Sequence, residues 1–157
     1  MISVAFMTLA LAAAVSDLLT RKIKNELVLV ILIGGLVYQG LSLDGLAGAG
    51  VGFALLFIPF AARWVGGADI KVLAAFGAWL GPWGALLGGL AGIGLGGLLA
   101  LAMAFKGGIG REVIGTMKAA IVTISAPAAP RRDRALVVPL AVPLAMGCTL
   151  VWFGVLS

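Results

Sequence analysis

The chain contains no histidine and a single cysteine, Cys148, and only 11% of its 157 residues are charged. Without histidine there is no imidazole base, no Ser–His or Cys–His nucleophile and no ordinary zinc cluster, and one cysteine forms no intrachain disulfide. A soluble domain carries about 25% charged residues. The low charge, together with a hydrophobic share of 62%, excludes both an ordinary water-soluble domain and a disordered chain.

Long apolar runs fill the space instead, and the mean hydropathy is +1.21. They cover residues 1–16, 27–41, 45–62, 70–80, 84–105 and 135–156. A membrane-spanning helix takes about 20 residues, so the chain holds at most about six. Barrel strands would alternate polar and apolar residues, and Leu27 to Leu36 and Leu86 to Ala104 do not. The reading is all-α: a polytopic integral membrane protein of six transmembrane helices forming one membrane domain over 1–157. Its partner is the lipid bilayer. A pI near 10.0 is read as a topology signal rather than as nucleic-acid binding, because basic residues flank membrane helices on the cytoplasmic side.

The basic residues test that count. If six helices alternate, the loops after helices 1, 3 and 5 and their edges hold Arg21, Lys22, Lys24, Arg63, Lys71, Lys106, Arg111, Lys118, Arg131, Arg132 and Arg134, which is every base in the chain. The opposite loops carry only Asp44. The positive-inside rule makes the shared side cytoplasmic and both termini external. Residues 1–16 end in Ala12-Ala13-Ala14, like a signal-peptidase site, but their bases follow the apolar run instead of preceding it. The segment is therefore expected to stay as the first helix.

Six acids remain: Asp17, Glu26, Asp44, Asp69, Glu112 and Asp133. Glu26, Glu112 and Asp133 sit beside bases, and Asp44 lies in a tight outer turn with Ser42 and Gly45. Asp17 and Asp69 differ. Asp17 ends the first apolar run, and Asp69 opens a short one that stops at Gly81-Pro82. Leu80 is about 16 Å of helix from Asp69, within a hydrocarbon core of about 30 Å. Asp69 is thus expected below the cytoplasmic surface, with Asp17 at similar depth. Carboxylates at membrane depth usually face a cavity or a partner.

Three readings suit such a pair. Two aspartates that share one proton activate water against a peptide bond. A small transporter binds an ion or a proton on them, although helices 2, 5 and 6 offer almost no polar path. The third is structural: Asp17 pairs with Arg21 at i,i+4 and Asp69 caps a helix.

The segment Gly66-Gly67-Ala68-Asp69-Ile70-Lys71-Val72-Leu73-Ala74-Ala75-Phe76-Gly77-Ala78-Trp79-Leu80-Gly81-Pro82 resembles the second aspartate motif of the type IV prepilin peptidases, the GxGD intramembrane aspartic proteases. Asp17-Leu18-Leu19-Thr20-Arg21-Lys22-Ile23-Lys24-Asn25 resembles their first motif, with Lys24 where the family has proline. The likeness covers about 5–105, and Val138 to Gly147 resembles the family's final helix. It implies an aspartic endopeptidase of the bacterial inner membrane with Asp17 and Asp69 as the catalytic pair. Gly66, Gly67, Ala68 and Lys71 would be supporting motif residues, and no cofactor or metal is implied. The implied substrate is a prepilin with a basic leader and a hydrophobic helix, cut at the cytoplasmic face. With no CxxC pair and no room for a methyltransferase insertion, the chain resembles the short peptidase-only branch of Flp/Tad-type pili. Ala68 stands where the family has glycine, and alanine disfavours positive φ. If the motif requires a left-handed backbone there, the reading becomes a non-catalytic membrane component of a pilus assembly system. Lys71 either tunes the pair or reaches headgroups.

Outside the core, residues 106–134 hold six bases and two acids, net +4. Val113, Ile114, Met117, Ile121 and Ile124 fall on one helical face, which reads as an interfacial amphipathic helix lying on anionic lipid or gating the aspartates.

Overall fold

The computed structural model describes residues 1–20, 23–61, 65–106 and 140–155. Five helices lie in them: α1 (Ile2–Thr20), α2 (Asn25–Tyr38), α3 (Leu43–Ala61), α4 (Gly67–Lys106) and α5 (Ala141–Trp152). No strand is present among the described residues. Three stretches are long and apolar enough to cross a membrane: Ile2–Leu19, Leu43–Ala61 and Gly67–Ala102. The last of these is not one rod. Gly81 has φ 72° and ψ 179°, a backbone that glycine alone adopts readily, and Pro82 follows with the φ that suits the first turn of a new helix. The chain reverses there. Gly77 faces Ala85 and Gly89 faces Leu73 across the turn, so 67–80 and 82–106 form two limbs of a hairpin. The apolar runs at 70–80 and 84–105 are these limbs, and the break expected over three residues takes one.

Lipid tails are as apolar as leucine, so helices in a membrane associate through close packing and hydrogen bonds. Glycine supplies the packing here. In α3 the buried positions include Gly45, Gly48 and Gly52. A Cβ on Gly48 would strike the Gly77 carbonyl, and one on Gly52 would lie 2.9 Å from the Leu73 carbonyl carbon. On the second limb of α4, Gly88 and Gly92 face Cys148 and Leu144 of α5, Gly96 faces Pro143 of α5 and Leu140 just before it, and Gly147 returns the contact against Gly88 and Gly92. The first limb is central: Ile70, Val72, Leu73, Ala75, Phe76, Ala78 and Trp79 are all buried.

These contacts alternate the rods in direction. α1 meets α5 twice, by a Phe6–Trp152 ring stack at 4.6 Å and by Asp17 against Ala141, so the two run antiparallel. α2 meets the first limb of α4 through Asn25–Lys71 at one end and a Tyr38–Trp79 stack at the other, so those two run parallel. One end of the bundle therefore gathers the close of α1, the start of α2, the close of α3, both ends of α4 and the start of α5. The other end holds the 39–42 turn, the Gly81 reversal and an aromatic cluster of Phe6, Tyr38, Trp79 and Trp152. Trp79 is anchored by its Nε1–H, which donates to the Ile31 carbonyl at 2.8 Å.

Asp44 differs in detail from expectation. It lies in the first turn of α3, where the Ser42 hydroxyl accepts the Gly45 N–H at 3.4 Å and a carboxylate complements the helix dipole. The amphipathic helix expected over 111–125 lies outside the described residues.

Candidate active site

α1 buries one stripe: Phe6, Ala10, Ala13 and Asp17. The spacing is four, three and four, the period of one helical face, while Met7, Leu11, Val15, Leu18 and Leu19 are exposed. Asp17 therefore continues the inward face and is 8% exposed. Its Oδ2 accepts the backbone N–H of Ala141, the first residue of α5, at 3.2 Å in buried surroundings. The local pairing with Arg21 falls partly outside the described residues.

Asp69 is the third residue of α4 and half-buried. Its N–H donates to the Gly66 carbonyl at 3.2 Å, and its Oδ2 accepts the Gly66 N–H at 3.3 Å. A side chain three residues into a helix reaching back to the cap amide is half of a capping box. The structural alternative thus describes part of what Asp69 does. The same carboxylate also lies within electrostatic reach of Asp17. Two acids fifty-two residues apart in the chain thus stand at the same end of the bundle, one buried and one half-buried.

The supporting residues divide. Gly66 approaches the acid closely: a Cβ there would sit 3.2 Å from Asp69 Oδ2. A Cβ on Gly67 would meet the Phe60 ring at an ordinary 3.4 Å. Ala68 is within α4, and the positive-φ residue other than glycine among the described residues is Leu41. The backbone at Ala68 is right-handed, and alanine suits it. Lys71 is exposed, and its Nζ donates to Asn25 Oδ1 at 3.1 Å. That contact ties the two motif segments together, a role the sequence reading did not give it. Asn25 and the Ala141 amide were missed; Asn25 was visible as the last residue of the first motif, whereas a backbone amide leaves no mark in a sequence.

Among the described residues no three histidine, cysteine, aspartate or glutamate side chains converge as metal ligands. A pocket of about 460 Å³ lined by Tyr38, Gln39, Trp79, Leu80, Val151 and Trp152 opens at the aromatic end, away from both acids. Cys148 is buried in α5, against Gly88.

No curated protein and no solved structure matches the chain. The sequence pattern of the type IV leader peptidase family matches residues 4–101, a stretch that contains Asp17, Asn25, Asp69 and Lys71 and both limbs' reversal at Gly81. The apolar helices and this match together make the protein a membrane peptidase: the chain belongs to the type IV leader peptidase family.

Proposed function

We propose that the protein is an aspartic endopeptidase that removes the basic leader from Flp-type prepilins, with Asp17 and Asp69 as its catalytic pair. The observation that carries this reading is that the two carboxylates, from α1 and α4, stand at one end of the bundle in a chain of the leader peptidase family. The ionised member of the pair takes a proton from water as that water attacks the scissile carbonyl. The protonated member donates to the carbonyl oxygen, and the proton gained from water passes to the leaving amine. Neither step calls for histidine, cysteine or a metal.

The same reading places the six rods across the bacterial inner membrane, with both termini outside and the acids at the cytoplasmic face. Its support is that all eleven bases lie, in sequence, within or between helix ends that gather with the aspartates. A prepilin leader is basic, and its cut lies where leader meets membrane helix. The experiment is incubation of the purified protein in detergent with a Flp-type prepilin, with leader removal read by mass. Asp17→Asn and Asp69→Asn each abolish cleavage while Asp44→Asn cleaves normally. Full cleavage by either of the first two removes that residue from the mechanism.

A further inference from the structure

The family pattern ends at residue 101, yet the group that holds Asp17 lies beyond it, on α5. α1 packs mainly on α5, and the two are pinned in register at both ends. Phe6 stacks on Trp152 at 4.6 Å, and eleven residues along each helix Asp17 Oδ2 meets the Ala141 N–H at 3.2 Å. Eleven steps of α-helix are about 16 Å, so the two contacts demand the same length of each partner and get it. α5 is seated in turn on the second limb of α4 through Gly88, Gly92, Gly96 and Gly147, and α4 carries Asp69 on its other limb. At the aromatic end α1 also touches the first limb directly, through Phe6 on Phe76 and Trp79; at the aspartate end the hydrogen bond that orients Asp17 comes from α5. A first-turn amide has no acceptor within its own helix, which leaves the Ala141 N–H available to a carboxylate.

We propose that the Ala141 backbone amide is a positioning group for the catalytic pair: it fixes the direction of the Asp17 carboxylate, and the seating of α5 on α4 sets where that carboxylate stands against Asp69. The proposal rests on the peptidase reading of Asp17. It makes the last helix part of the active site rather than a further membrane anchor. The consequence is that a glycine whose neighbours are α5 residues rather than either acid controls turnover. A Cβ on Gly92 would lie 2.7 Å from Leu144 Cα, and one on Gly88 3.1 Å from Cys148 Cα, whereas Gly94 and Gly97 on the same limb face open space.

The test uses the full chain with L-lactic acid in place of Ala141, introduced by nonsense suppression, which turns one amide into an ester. The ester removes the N–H and weakens the Leu140 carbonyl that accepts the Leu144 N–H. The same ester linkage placed at Val142, which removes the neighbouring N–H and leaves that of Ala141 in place, is therefore the control. A hydrogen bond to a charged group is worth enough that kcat falls roughly tenfold or more, with KM unchanged. Gly92→Ala lowers kcat more than Gly88→Ala, and Gly94→Ala leaves it at the parent value. A second readout needs no activity: with nitrogen-15 alanine labelling in micelles, the Ala141 amide proton shifts in Asp17→Ala. An ester variant with the parent's kcat overturns the proposal, and so does an Ala141 resonance that Asp17→Ala leaves in place. In a chain that cleaved no prepilin the peptidase reading would fall, and the resonance alone would decide: moved, it upholds the tie between α5 and Asp17; unmoved, it removes it.

Discussion

Lys71 Nζ donates a hydrogen bond to Asn25 Oδ1 at 3.1 Å, joining residues forty-six apart in sequence. Asn25 opens α2 eight residues after Asp17, and Lys71 lies two residues past Asp69. The bond ties the segment behind one acid to the segment behind the other. Both side chains are exposed, so water and headgroups compete for them, and the bond's net worth is about 1 kcal/mol. We predict that Lys71→Met and Asn25→Leu each lower kcat about fivefold, and that the double variant is no worse than either alone. Lys71→Arg retains most activity because a donor remains within reach. Fully additive losses in this double-mutant cycle would show that the two residues act independently.

Glycines of one type in sequence are of two types in the fold, and stability separates them. Gly48 sits on the α3–α4 seam, where a Cβ would be 2.8 Å from the Gly81 backbone, while Gly50 faces open space. Gly48→Ala is expected to cost about 1–3 kcal/mol from forced separation of the helices. Gly50→Ala is neutral or stabilising by up to about 1 kcal/mol from helix propensity. Thermal unfolding in one detergent compares them directly; equal melting points would mean the α3–α4 contact is looser than described.

Much of the architecture was legible before any coordinates. The apolar runs marked the rods, and Asp17 and Asp69 fall at the same end because the helices alternate in direction. Asp17 and Asp69 stood out as acids at the edges of apolar runs, at membrane depth. What was hidden depends on which face of a helix a residue occupies. The Gly48–Gly50 difference is invisible in composition, and the Lys71–Asn25 contact exists only once α2 and the first limb of α4 lie parallel. The tight reversal at Gly81 was hinted at by its proline but not its single-residue length. The left-handed backbone considered for Ala68 is not found: the backbone there is right-handed, at the start of α4.

Metal dependence provides a chemical check on the aspartates. Magnesium and calcium take about six oxygen ligands, and the candidate site has two carboxylates whose oxygens already accept backbone amides from Ala141 and Gly66. Prepilin cleavage is expected to persist after exhaustive chelation, read by mass against an untreated sample. Loss of cleavage that one added metal restores would recast Asp17 and Asp69 as ligands and replace the two-carboxylate mechanism.

The last prediction concerns sidedness, since a prepilin leader is presented from the cytoplasm. Glu26 lies in the first turn of α2 at the aspartate end and is exposed. Leu43 opens α3 at the aromatic end and is 82% exposed. Cys148 is fully buried, and Cys148→Ala removes its thiol from the assay at small cost in packing. In that background Leu43→Cys is expected to react with a membrane-impermeant thiol reagent added to spheroplasts, and Glu26→Cys only after the membrane is opened. The capping at Ser42 is untouched by the first variant, and the Lys71–Asn25 bond by the second. External labelling at Glu26→Cys would put both acids on the face a leader does not reach. A transporter tolerates that arrangement, because its carboxylates need only meet a path across the bilayer; a leader peptidase does not.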